Sequence, residues 1–113
     1  MISTHILDTS VGFPAANVRV DLERQTSRGG DQPAEWTRIG SDKTNTDGRI
    51  AFSVPYEAGE YRLVFHVGDY SRFKGQTPLF PEVSVHVSIT DTSRKYHIPL
   101  LLNPFGYSTY RGS

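Results

Sequence analysis

From residue 83 to residue 90 the chain reads VSVHVSIT: Val83, Val85, Val87 and Ile89 alternate with Ser84, His86, Ser88 and Thr90. A period of two is the signature of a strand whose alternate side chains point to opposite faces, one dry and one wet. At the 3.6-residue turn of a helix the same four apolar residues would scatter around the axis and bury no common face. This stretch is therefore a strand, and the fold question becomes how many others accompany it.

Before it, Tyr61, Leu63, Phe65 and Val67 repeat the alternation. Val18, Val20 and Leu22 do so against Arg19, Asp21 and Glu23. Ile2 to Asp8 forms a first strand, closed by SVGFPAAN, where Gly12 and Pro14 suit a turn. Trp36 to Thr44 and Arg49 to Val54 are joined by NTDG, Asn45 to Gly48, a tight-turn signal because Asp and Gly tolerate positive φ. Only GDYSRFKGQ, between the fifth strand and VSVHVSIT, suits a short helix. After VSVHVSIT, Tyr96 to Leu102 (YHIPLLL) is apolar on both faces, which predicts that a second surface, a subunit interface, covers the outer one. With the closing FGYSTY run, these segments predict an all-β, eight-stranded sandwich with one short helix after the fifth strand, a single domain over residues 1–113.

Composition narrows the function. Twelve Lys and Arg balance twelve Asp and Glu, so no basic excess draws nucleic acid or an anionic membrane. Without cysteine the chain has no disulfide framework, thiolate metal site or Cys nucleophile. MISTHILDTS lacks the charged segment and long apolar run of a secretory signal, and no stretch approaches a membrane span. The expectation is a soluble, cytoplasmic protein.

Four histidines invite a metal, but His5, His66, His86 and His97 show no close pair and no HExxH spacing, so no metal is expected. His66 and His86 sit at polar positions of their strands and read as solvated surface imidazoles. His5 and His97 differ. Strand parity puts His5 on a face with Leu7, His97 with Pro99 and Leu101, and Ser108 with Tyr110. Whether these three strips meet is left open by periodicity, and an interface histidine is the plainer reading of both. Arg49, next to the hairpin turn, would by itself be an exposed charge.

Taken together, THILDTSVGFPAANVRV, TNTDGR, LFPEVSV and YHIPLLLNPFGYSTYRGS resemble the transthyretin-related family, and within it the branch of 5-hydroxyisourate hydrolases. The likeness runs from the first strand to the last residue, leaving SRGGDQPAEW and the FKGQTPLF region less certain. The family also contains a hormone carrier, so fold alone does not select a function. Where the carrier resembles this chain it has lysine in place of His5, glutamate in place of Arg49 and threonine in place of His97, and it lacks the YRGS ending; Tyr110 would also fill space that a hormone needs.

The resemblance implies a transthyretin-like sandwich assembled as a homotetramer, a dimer of dimers, with clefts where the dimers meet. It implies that His5, Arg49, His97, Tyr110, Arg111, Gly112 and Ser113 line the cleft. The implied reaction opens the cyclic amide of 5-hydroxyisourate to 2-oxo-4-hydroxy-4-carboxy-5-ureidoimidazoline without a cofactor. His5 and His97 are then expected to share proton transfer, Arg49 to stabilise the oxyanion, and Ser113, through its hydroxyl and main-chain carboxylate, to orient Arg49 or a histidine. Tyr110 would form the floor and Arg111 would hold the terminal segment or reach substrate, making YRGS a buried, working terminus. A carrier of a small aromatic ligand without turnover, or a purely structural sandwich, are the competing readings.

Overall fold

The computed structural model describes residues 1–54 and 56–113. Its strands are β1 (Ile2–Asp8), β2 (Phe13–Pro14), β3 (Arg19–Ser27), β4 (Glu35–Lys43), β5 (Arg49–Phe52), β6 (Gly59–Phe65), β7 (Val83–Ile89), β8 (Tyr96–Asn103) and β9 (Gly106–Thr109). The single helix among the described residues, α1 (Val67–Phe73), falls between β6 and β7. Two sheets form. One runs β2-β1-β8-β9, with β5 also pairing β1, and the other runs β4-β3-β6-β7. All pairings are antiparallel except β1 with β8.

The eight expected segments all form strands, and β2 is an addition inside the stretch read as a turn. Asp8 explains it: its Oδ1 accepts the Ser10 N–H at 3.0 Å, and its carbonyl accepts the Gly12 N–H at 2.8 Å. With Gly12 at φ 76°, the chain folds back tightly enough to lay Phe13 and Pro14 against Asp8 and Leu7. The strand β3 runs on to Ser27, past the alternating residues, with register irregularities between Leu22 and Glu23 and between Gln25 and Ser27. Val67, placed at the end of a strand by its alternation, instead opens α1 and is buried there.

The core lies between the sheets. Ile2, Ile6, Val20, Leu22, Leu63 and Leu100 are fully buried in it. Burying each such side chain contributes about 1.5–3 kcal/mol, enough to set the register of every strand that carries one. Polar groups among them are paired. Thr4 Oγ1 donates to the Ile98 carbonyl at 2.6 Å, and Thr44 Oγ1 accepts the Val18 N–H at 2.9 Å while donating to the Ala15 carbonyl at 2.7 Å. No helix is long and apolar enough to cross a membrane among the described residues.

Candidate active site

Core packing determines the opposite face of the first sheet. Because Ile2, Thr4 and Ile6 of β1 point inward, Ser3, His5 and Leu7 point outward. In β8, Tyr96, Ile98, Leu100 and Leu102 are buried, which turns His97, Pro99 and Leu101 to the outer face. In β5, Ile50 and Phe52 go in, and Arg49 and Ala51 go out. The register then brings the outward residues together: His5 pairs with Arg49 across β1 and β5, Ser3 with His97 and His5 with Pro99 across β1 and β8. Directly opposed residues share a face, so one surface carries two imidazoles and a guanidinium.

The turn between β4 and β5 delivers the guanidinium. Asn45 Oδ1 accepts the N–H of Asp47 at 2.9 Å and of Arg49 at 3.0 Å. Gly48, at φ 74°, gives its carbonyl to the Ile6 N–H at 2.8 Å. A Cβ on Gly48 would stand 2.6 Å from the Ile6 carbonyl oxygen, so only glycine lets the turn lie against the strand beside His5. Arg49 is exposed, and among the described residues no carboxylate pairs with its guanidinium.

A cavity of about 410 Å³ opens here, lined by Ser3, Asn45, Arg49, Lys95, His97 and Ser113 among others. His5 stands beside it, close enough to His97 for its charge to be felt. Burial lowers the pKa of His97 below its ordinary 6.5, and the charges of Arg49 and His5 lower it further. Burial and Arg49 likewise lower that of His5, against an opposing pull from the backbone carbonyl and carboxylate of Asp47. Both rings are therefore held toward the neutral form, which can accept a proton. Among the described residues no group of three or more His, Cys, Asp or Glu stands close enough to hold a metal ion.

The terminal residues were expected to be buried in a cleft between chains. In the protomer YRGS is not buried: Tyr110, Arg111 and Ser113 are exposed and Gly112 half-buried. It is nevertheless fixed. The Gly112 N–H donates to the His97 carbonyl at 2.8 Å, and Arg111 donates to the Lys95 carbonyl at 3.2 Å with its guanidinium 4.4 Å from the Tyr96 ring centre. The cause is that, among the described residues, no further strand covers the edge strand β9, so the segment that follows lies along β8 with one side in solvent. Ser113 reaches the His97 cavity; Tyr110 and Arg111 line a different groove, with Val85, Val87 and Ile98.

Of the two histidines set aside, His86 lies on the surface as expected and His66 does not. His86 is half exposed, but its ring meets Trp36 edge-on at 5.0 Å. His66 is not a solvated imidazole: its Nε2 lies 2.9 Å from Oδ2 of buried Asp21, which also accepts from Ser41 and Arg19. Its polar parity was legible, but the carboxylate that shelters it comes from another strand. Sequence reasoning also passed over Ser3, whose Oγ is 2.8 Å from His97 Nδ1. The available signal was its position two residues before His5, on the same face.

Comparison with known proteins gives the family and the fold. The profile of the HIUase/Transthyretin family matches residues 2–112. A protein of Salmonella dublin named 5-hydroxyisourate hydrolase is 42% identical over 116 residues, covering 100% of this chain and 81% of the relative. The solved 5-hydroxyisourate hydrolase of Klebsiella pneumoniae superposes with a TM-score of 0.83 at 35% identity, covering 99% of this chain and 98% of the other. Sea bream transthyretin in complex with thyroxine superposes with a TM-score of 0.88 at 30% identity, covering 98% and 93%. With the expected two-sheet sandwich and a profile match over nearly every residue, the chain belongs to the HIUase/Transthyretin family.

Proposed function

We propose that this protein is a hydrolase that opens the cyclic amide of 5-hydroxyisourate to give 2-oxo-4-hydroxy-4-carboxy-5-ureidoimidazoline. The observation that carries the reading is the convergence of His5, His97 and Arg49 on one face beside a cavity, in a chain 42% identical to a protein named for that activity. A carrier needs none of these three groups at its ligand, whereas amide hydrolysis needs a base, an acid and a site for negative charge.

In the proposed sequence of events a neutral imidazole, His97 ahead of His5, takes a proton from water as the oxygen attacks the carbonyl carbon. The electron pair of the C=O bond moves to oxygen, where the fork of donors on Arg49 meets the developing charge. The C–N bond then breaks and the departing nitrogen takes the proton back from the imidazolium, so one water is consumed and the base is regenerated. Ser113 shares the cavity lining with Arg49 and His97, and its part in this reading is to offer its oxygen acceptors to the guanidinium or to a histidine when substrate is bound. Gly112 supports His97 from its backbone. No cofactor enters this sequence.

We further propose a cytoplasmic homotetramer, a dimer of dimers with the clefts at the interface between dimers. Leu7 and Leu101 support it, as apolar side chains left only half-buried on the outer face around the polar site. In this arrangement Tyr110 and Arg111, on a separate groove of their own chain, serve a cleft shared between chains.

The test is to add the protein to urate being oxidised by uricase and follow the ultraviolet absorbance of the intermediate. Accelerated decay is expected, with His97→Asn slowing it by about a hundredfold or more while the thermal midpoint is kept. Decay no faster than without protein, or full turnover by the variant, would refute the assignment.

A further inference from the structure

His97 is held at two edges of its ring. On one, Nδ1 lies 2.8 Å from Ser3 Oγ, the residue directly beside it in the parallel pairing of β1 with β8. On the other, Gly112 lies over the ring so closely that a Cβ there would be 2.5 Å from Cδ2 and 3.3 Å from Cγ. With those edges occupied, Nε2 is the nitrogen left toward the cavity shared with Arg49 and Ser113. A histidine used as a base must present a lone pair there, so the proton of the neutral ring must sit on Nδ1.

Two tautomers fit the distance alone, since a serine hydroxyl both donates and accepts. The electrostatics of the cavity select between them. Arg49 is a permanent cation on the same lining, and a lone pair facing it is favoured over an N–H bond pointing at it. Ser3 Oγ has no other partner among the described residues, so nothing prevents it from accepting Nδ1–H and turning its own hydrogen to solvent. It can keep that bond when Nε2 gains a proton, because Nδ1 donates in the imidazolium as well.

We propose that Ser3 is a positioning residue: its Oγ accepts the Nδ1–H of His97 and fixes the tautomer that leaves Nε2 free to take a proton from water. Its catalytic consequence rests on the hydrolase reading above; the tautomer does not. Ser3 does for His97 what a carboxylate does for many catalytic histidines, but without a second charge that would pull the proton or neutralise Arg49.

The test compares wild type, Ser3→Ala and Ser3→Thr by ¹⁵N spectra of the His97 imidazole and by steady-state kinetics on freshly generated 5-hydroxyisourate. Wild type is expected to show Nδ1 protonated and Nε2 unprotonated. In Ser3→Ala the two tautomers should mix, with kcat falling roughly tenfold and KM within about twofold, the scale of one lost hydrogen bond. Ser3→Thr, which keeps the hydroxyl, should restore both signals. An Nε2-protonated ring in wild type, or a His97 spectrum unchanged in Ser3→Ala, overturns the proposal whatever the activity. A protein with the expected spectra and no turnover would instead refute the hydrolase reading and leave the role of Ser3 standing.

Discussion

At the scale of single residues, the site works by keeping two imidazoles neutral beside a fixed positive charge. Burial and Arg49 both lower the pKa values of His5 and His97 from 6.5, so the base form persists into mildly acidic solution. The sign follows: activity is retained below pH 6.5 and lost as pH falls through the lowered values. Folding stability decreases over the same window, because the unfolded chain binds protons there that the folded one does not. Removing the charge in Arg49→Gln should move both titrations upward toward 6.5, as measured by NMR of the ring protons. Unmoved titrations would show that Arg49 does not act on these rings. The participants were legible from residue type and parity, but their meeting was not. Ser3 went unnoticed because a serine carries no signature until its partner, 94 positions away, is seen to lie alongside.

At the scale of elements, the short helix α1 depends on a contact outside itself. Seven residues are too few to be stable alone in water. Tyr70 ties it to the end of β1, donating its hydroxyl to Asp8 Oδ2 at 2.7 Å in a buried setting. Burial pushes the Asp8 carboxyl up, but hydrogen bonds from Ser10 and Tyr70 outweigh it and the pKa ends below 3.8. Tyr70→Phe should therefore destabilise the protein by about 1–2 kcal/mol at neutral pH, measured by denaturant unfolding. A depressed carboxyl contributes above its unfolded pKa and is lost as pH falls through its folded value, so the difference between variant and wild type should shrink below pH 3.8. A difference that persists in acid would assign the loss to packing. The helix itself was readable from the break in alternation; its anchor on the first strand was not.

At the scale of the whole molecule, the outer face of the first sheet is where sequence pattern and assembly meet. YHIPLLL is apolar on both faces, and in the protomer only one of them packs into the core. Light scattering should report four chains per particle. Leu101→Glu, placing a charge on the outer face beside the site, should yield a smaller particle with an intact β-sheet spectrum and little turnover. A variant that stayed tetrameric and active would move the interface elsewhere.

What the sequence determined by itself is the class of fold and the inward or outward sense of most strands, because a period of two survives in any context that buries one face. From residue types it also determined the candidate groups. Only the tertiary structure decided that β1 runs parallel to β8 and antiparallel to β5. That placement of strands far apart along the chain sets His97 beside Ser3, and His5 beside Arg49. Such pairings arise from closing a shared core, and no local pattern encodes which strands will be neighbours.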